Sequence, residues 1–478
     1  MIILSKKYYV VLFSLVVLLG ACGCEKKGNN SEPQPQGPDS TQVDPKDETP
    51  MDNPDMSLIS PTVPVTDNWV WNGKPQITIR IENRNPGAVK LATKVVIMTD
   101  RIEGEKPVEL FTLTDSVVVG ANKEQDFVMT TTEKMAPGIY HAECSVEEKS
   151  ARSFNFAIDP FEITSVNDKP EDFDAFWQAA KDQLAAIDMD AKLTEIPERS
   201  NAGCKVYLVE MKSVPDGLEG EPVTIRGYFC APQDGKKHPV ILHFYGYDTQ
   251  NVDWEVACPW GGDKAEFYLS HRGQYLNNRP AGTNLGVPEE TVNIYGDWFR
   301  YNLGEKDTYY YRGAYMDVVQ AIRFMATQSC CDMTKLFAEG SSQGGALTYV
   351  AAALSDYPFT SIAANVAFMG DFADALQIPS LAYWEVSDHY WVDGVPIEQS
   401  IRYLPYFDIK HLTPRISCAV LASSGLADET CPARLNLVPF NNLATPKDKK
   451  EYIIEPEMGH SYPADWYSKM NALFEKYF

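Results

Sequence analysis

Basic charge is what this chain has least of. Its 478 residues carry 42 lysines and arginines against 66 aspartates and glutamates, a formal net charge of −24. A surface of that sign repels a phosphate backbone, which excludes nucleic acid as a partner. The acidity reads instead as a solvated face that keeps the protein soluble. Histidine is scarce as well, seven in all. No H-E-x-x-H and no paired-cysteine ligand spacing occurs, so neither a metal nor a cofactor is expected. Long apolar runs are missing too. The one candidate, "YYVVLFSLVVLLGAC" after Lys6 and Lys7, is short for a membrane span and has the length of a signal-peptide core.

That run ends "LGAC", small residues before Cys22, which resembles the lipobox of bacterial lipoproteins. The expectation is a signal peptide over residues 1–21, a lipidated Cys22 that anchors the mature chain to a membrane, and an exported protein at the periplasm or cell surface. Residues 22–56, rich in Pro and acids with little to bury, read as a disordered tether extended by its prolines. Export permits disulfides, although a core this large does not require them. "CKVYLVEM" and "VTIRGYFC" look like antiparallel strands joined by "DGLEGEP", which sets Cys204 opposite Cys230. A bridge or two buried thiols would satisfy that placement.

Two folded units follow, with hydrophobic content (44%) and charge (23%) normal for globular protein. Residues 57–160 alternate in short runs, with Ile77, Ile79 and Ile81 between polar neighbours, the period of a half-buried strand. Six or seven such strands without a helix predict an immunoglobulin-like β-sandwich, a spacer or accessory unit in which His141 is structural. Residues 161–478 change texture. Phe173, Phe176, Trp177, Ala180 and Leu184 recur at helical spacing, and so do Val318, Ile322 and Met325. Between and beyond them the strands "HPVILHFYG", "KLFAEG", "IAANVAF", "CAVLASS" and "KEYIIEP" alternate with helices. The prediction is a mostly parallel sheet flanked by helices.

Within that sheet, "LFAEGSSQGGAL" has the strand–turn–helix context of a G-x-S-x-G nucleophile elbow. Only Ser342 has glycine two positions before it (Gly340) and two after (Gly344), so Ser342 rather than Ser341 is the nucleophile candidate. A serine needs a base and an orienting acid, here in the order Ser, Asp, His. His460, just past the last strand, is the base. His389 and His411 suit packing or substrate contact. Asp428 in "GLADETCP", next to Glu429, is the acid, with Asp371 and Asp374 as fallbacks. The oxyanion donors would be the backbone N–H groups of Gln343 and of Tyr247 in the loop after "PVILHF". Trp254, Trp260, Trp298, Trp384 and Trp391 fall in loops above this edge, as sugar platforms or as packing.

With "RGQ" at Arg272, Gly273 and Gln274, "GSSQGG" around Ser342 and "GH" at His460, the second unit resembles the acetyl xylan esterase / cephalosporin-C deacetylase family of α/β-hydrolases. The resemblance runs from "PEDFDAFW" to the C-terminus. It implies a Ser342–Asp428–His460 triad, an oxyanion hole at Tyr247 and Gln343, and Arg272 and Gln274 bracing the site. It also implies removal of acetyl groups from xylo-oligosaccharides or similar esters through an acetyl-serine. The chain departs from the family at Ser461, where Glu is usual, and at Tyr245, where His is usual. Family members form compact intracellular rings. The added sandwich and anchor here leave a homo-oligomer open without carrying that ring over. Two other classes remain: a serine peptidase of the prolyl-oligopeptidase type, which would bring a far larger β-propeller, and a non-catalytic glycan-binding lipoprotein, which would have no need of all three triad residues.

Overall fold

Alternation along residues 59–158 becomes two sheets facing one another. The computed structural model describes residues 49–103, 106–247, 262–274, 276, 298–378, 391–392 and 395–478. Cys22, the signal segment, most of the tether and His389 lie outside the described residues. Eight strands make the first unit: β1 (Ile59–Thr62), β2 (Val70–Trp71), β3 (Ile77–Asn83), β4 (Val89–Glu103), β5 (Lys106–Val119), β6 (Lys123–Met129), β7 (Gly138–Val146) and β8 (Lys149–Ile158). They pair as a three-stranded sheet β1–β3–β6 and a five-stranded sheet β2–β8–β7–β4–β5. Ile77, Ile79 and Ile81 all point into the space between the sheets and are buried with Val95, Ile97 and Phe156. Apolar area removed from water there contributes about 25 cal/mol per Å², which is what makes the period of two decisive.

The second unit is built on a sheet of nine strands: β9 (Lys192–Glu195), β10 (Cys204–Ser213), β11 (Val223–Pro232), β12 (His238–Phe244), β13 (Ala265–Ser270), β14 (Cys331–Ser341), β15 (Ser361–Asn365), β18 (Ala419–Gly425) and β19 (Lys450–Glu455). A two-stranded ribbon, β16 (Trp391–Val392) with β17 (Val395–Pro396), intervenes in sequence. The order is β19–β18–β15–β14–β12–β13–β11–β10–β9. From β13 to β19 every pair is parallel, while β9, β10 and β11 are antiparallel. The chain therefore winds one way from β12 to β13 and the other way from β12 to β14. Ligand crevices form at such a switch, beyond the carboxyl ends of the strands.

The helix Phe173–Ala185 buries its five predicted residues, Phe173, Phe176, Trp177, Ala180 and Leu184. The helix Tyr310–Thr327 behaves differently. Besides Val318, Ile322 and Met325 it buries Val319, Ala321, Phe324 and even Asp317 and Gln320, because it is enclosed rather than laid on a surface. β10 and β11 pair antiparallel as expected, but Cys204 faces Pro232 and Cys230 faces Val206, two positions off the expected register. Both are buried and neither is in a disulfide. Among the described residues, no helix is long and apolar enough to cross a membrane.

Candidate active site

The turn after β14 is built around its glycines. A Cβ at Gly344 would lie 2.1 Å from the carbonyl oxygen of Phe244, and one at Gly340 would lie 2.4 Å from that of Gly344. Neither position admits a side chain. Ser342 between them adopts φ 59°, ψ −122°, strained backbone for a residue with a Cβ. It is held there by bonds from Ser342 N to Asn365 O (3.0 Å) and from Phe368 N to Ser342 O (3.0 Å). Ser341, by contrast, is locked: its Oγ accepts from the Asn365 amide at 2.7 Å. The two serines are therefore not equivalent.

Gln343 opens the helix Gln343–Leu354, where backbone N–H groups have no acceptor within the helix. Its fully buried side chain is held at both ends. Tyr311 Oη donates to Gln343 Oε1 (2.7 Å), and Gln343 Nε2 donates to His271 Nε2 (2.7 Å). His271 must then accept at Nε2 and carry its proton on Nδ1, which lies 2.8 Å from Tyr310 Oη. Tyr310 in turn donates to the carbonyl of Arg272. Burial keeps His271 neutral, its pKa lowered to about 4. His271 is a site residue that motif reading missed, although it immediately precedes the RGQ run.

Arg272 is fully enclosed. It grips Asp317 with Nε (2.9 Å) and Nη2 (2.7 Å), and gives further bonds to Asp216 and to the carbonyl of Val214. Gly313 is required beside it, since a Cβ there would fall 2.1 Å from Nη1. Gln274 Nε2 donates to the carbonyl of Gly246 at 3.1 Å, fixing the loop after β12. Tyr247 on that loop packs against Trp298, and its hydroxyl accepts from Phe299 N at 3.3 Å. Trp298 is fully buried and stacks on Tyr310, so its part is packing. The other four loop tryptophan side chains lie outside the described part.

Asp428 and His460 meet at the ends of β18 and β19. His460 Nδ1 lies 2.9 Å from Asp428 Oδ2. Asp428 Oδ1 accepts the backbone N–H groups of Thr430 and Cys431, each at 2.8 Å. The Cys431 side chain in turn contacts the Ser342 hydroxyl, joining the acid loop to the elbow. Burial raises the Cys431 thiol well above its ordinary range, so it stays protonated there. Asn365, another residue not foreseen, ties the parts together. Its amide also donates to the carbonyl of Ser461 (3.0 Å), and Ser423 on β18 donates to its Oδ1.

The remaining candidates are engaged elsewhere. Asp371 is bound by Lys410 and Ser165, Asp374 by Arg101 and Arg434, and His411 by Asp168 at 2.9 Å. Glu429 is exposed. No group of three or more His, Cys, Asp or Glu side chains arranged to hold a metal ion occurs among the described residues.

Sheet order, the tight turn at Ser342 and the Asp428–His460 hydrogen bond together are those of an α/β-hydrolase. A model of the acetyl xylan esterase (AXE1) family matches residues 159–476, and the chain belongs to that family. It is a carboxylic ester hydrolase. Among curated proteins it is 24% identical over 319 residues to the acetyl esterase Axe7A of Xylanibacter ruminicola, covering 65% of this chain and 69% of that one. Among solved structures it is similar to acetyl xylan esterase 1 from Thermoanaerobacterium sp., with 25% identity and a TM-score of 0.56, over 67% of this chain and 98% of that one. It shares its fold with an acetyl xylan esterase from Paenibacillus sp. R4, at 24% identity and TM-score 0.57, with the same two coverages.

Proposed function

We propose that this chain is a serine esterase that removes O-acetyl groups from xylo-oligosaccharides or related acetylated sugars through an acetyl-serine intermediate. The observation that carries the reading is the Asp428–His460 hydrogen bond beside the elbow at Ser342. With Nδ1 committed to Asp428, the imidazole presents Nε2 as a lone pair. His460 takes the Ser342 proton as Oγ attacks the acetyl carbonyl, and the N–H groups of Gln343 and Tyr247 receive the oxyanion. As the tetrahedral intermediate collapses, the bond from the acetyl carbon to the sugar oxygen breaks, and the imidazolium gives its proton to that departing oxygen. Water, deprotonated by the same imidazole, then releases acetate and restores Ser342.

Asp428 stabilises the imidazolium in both halves. Arg272 and Gln274 hold the walls: the first anchors the strand end before the site, the second the loop that bears Tyr247. Hydrolysis of p-nitrophenyl acetate and release of acetate from acetylated xylo-oligosaccharides test the reading. Ser342→Ala is expected to lower kcat by about 10⁴ or more, and near wild-type turnover by that variant would refute it. We further read Cys22 as the lipidated first residue of an exported, membrane-anchored protein. The support is the sequence before it alone. Mass spectrometry of the membrane-extracted chain would show acyl chains on Cys22, and their absence there would refute the anchor.

A further inference from the structure

We infer that the N-terminal β-sandwich is a working part of the active site, a clamp that positions the loops bearing Asp428 and His460. This rests on the serine-esterase reading above. Two contacts reach from the sandwich to those loops, and a third reaches the helix beside them through Asp374. Asn155 on β8 donates through Nδ2 to the carbonyl of Leu426 at 2.7 Å, two residues before Asp428. Arg152, also on β8, pairs with Glu457, three residues before His460. Arg101 on β4 shares the Asp374 carboxylate with Arg434, at 2.6 and 2.7 Å, and Arg434 lies on the helix Ala433–Asn441 that follows the acid loop.

The Leu426 carbonyl can only accept, so Asn155 turns Nδ2 to it and leaves Oδ1 to accept from His141 Nδ1 (2.7 Å). Ser153 Oγ lies 2.7 Å from His141 Nε2 and braces the ring from its other side. His141 and Asn155 are directly opposite partners on β7 and β8, so the pleat holds this line of three side chains. Beneath it, Leu426, Ala433, Leu437 and Val438 are buried in the same apolar cluster as the sandwich core. The acid and base loops are also bonded to each other, Leu426 N to Glu455 O (2.9 Å) and Ala427 N to Met458 O (3.1 Å). A displacement of Leu426 therefore moves both members of the acid–base pair, and a misplacement of about 1 Å can cost about 100-fold in rate. A mere spacer would have no need to bond these loops.

The test uses the full chain with p-nitrophenyl acetate. Asn155→Ala is expected to lower kcat about 10-fold with KM nearly unchanged, and to shift the pH profile of kcat, because the base is held less well against its acid. Val206→Ala on β10, buried in a separate apolar cluster toward the far edge of the nine-stranded sheet, serves as the control: it should lower Tm at least as much and leave kcat intact. Arg152→Glu should lower kcat, and adding Glu457→Arg should restore it. Unchanged kcat and pH profile in Asn155→Ala, an equal kcat loss in Val206→Ala, or failure of the charge exchange to restore turnover would overturn the inference. Wild-type turnover in Ser342→Ala would instead overturn the esterase reading on which it rests.

Discussion

Replacing Asp428 with Asn changes one atom, and the structure says why that atom matters. Oδ1 of Asp428 accepts two backbone N–H groups, from Thr430 and Cys431, and Oδ2 faces His460 Nδ1. An asparagine that keeps its oxygen on the two N–H groups must point its NH₂ at Nδ1. His460 then accepts at Nδ1 and carries its proton on Nε2, so the base is blocked toward Ser342. The flipped amide would serve His460 but set NH₂ against two N–H donors, leaving both without an acceptor at about 1–3 kcal/mol each. The first arrangement wins, and with it the wrong tautomer. The expected loss in kcat is about 10⁴-fold, or about 5.4 kcal/mol of barrier at 1.36 kcal/mol per decade. KM should change little and Tm modestly. Initial rates with p-nitrophenyl acetate, alongside a thermal melt, measure both. An Asp428→Asn enzyme within about ten-fold of wild type would refute this assignment of the acid.

Other outcomes follow from particular contacts. Gly344→Ala should abolish most activity, because its Cβ would meet the Phe244 carbonyl at 2.1 Å and displace the elbow; steady-state rates on the folded variant check this. Arg272→Ala leaves Asp317 buried without its cation and should cost about 3–5 kcal/mol of stability, read from denaturant unfolding. His271 has its pKa lowered to about 4 by burial, so the unfolded chain binds more protons between that value and the ordinary pKa near 6.5. Its contribution is fully present above about pH 6.5 and is lost as pH falls toward 4; stability measured across that range should fall more steeply in wild type than in His271→Gln.

Much of this site was legible because its parts are local in the sequence. The elbow is a spacing of glycines, and the structure shows carbonyl oxygens standing where side chains would be. Ser342, Asp428 and His460 each follow a recognisable apolar strand, so their shared edge followed from strand order alone. What could not be read were pairings across the chain. His271 acts on Gln343 through a hydrogen bond spanning 72 positions, and Asn365, at the end of β15, joins the end of β14, β18 and the loop after His460. Cys204 and Cys230 missed their expected register because the join between β10 and β11 is not a simple hairpin turn, and a two-residue shift keeps the same faces buried. The helix Tyr310–Thr327 showed one apolar face in sequence and proved enclosed, since its Asp317 is neutralised by Arg272, forty-five residues away.

An acetyl group that passes through Ser342 Oγ can be trapped there. Intact-mass and peptide mass spectrometry of a His460→Ala variant incubated with p-nitrophenyl acetate would detect it, because loss of the base slows release of the acyl group more than its capture from an activated ester. A single acetyl group is expected on the peptide containing "EGSSQGG", located on Ser342 and absent when Ser342→Ala is added. Acetyl on Ser341, acetyl on another peptide, or an unchanged mass in a variant that still turns over would contradict it.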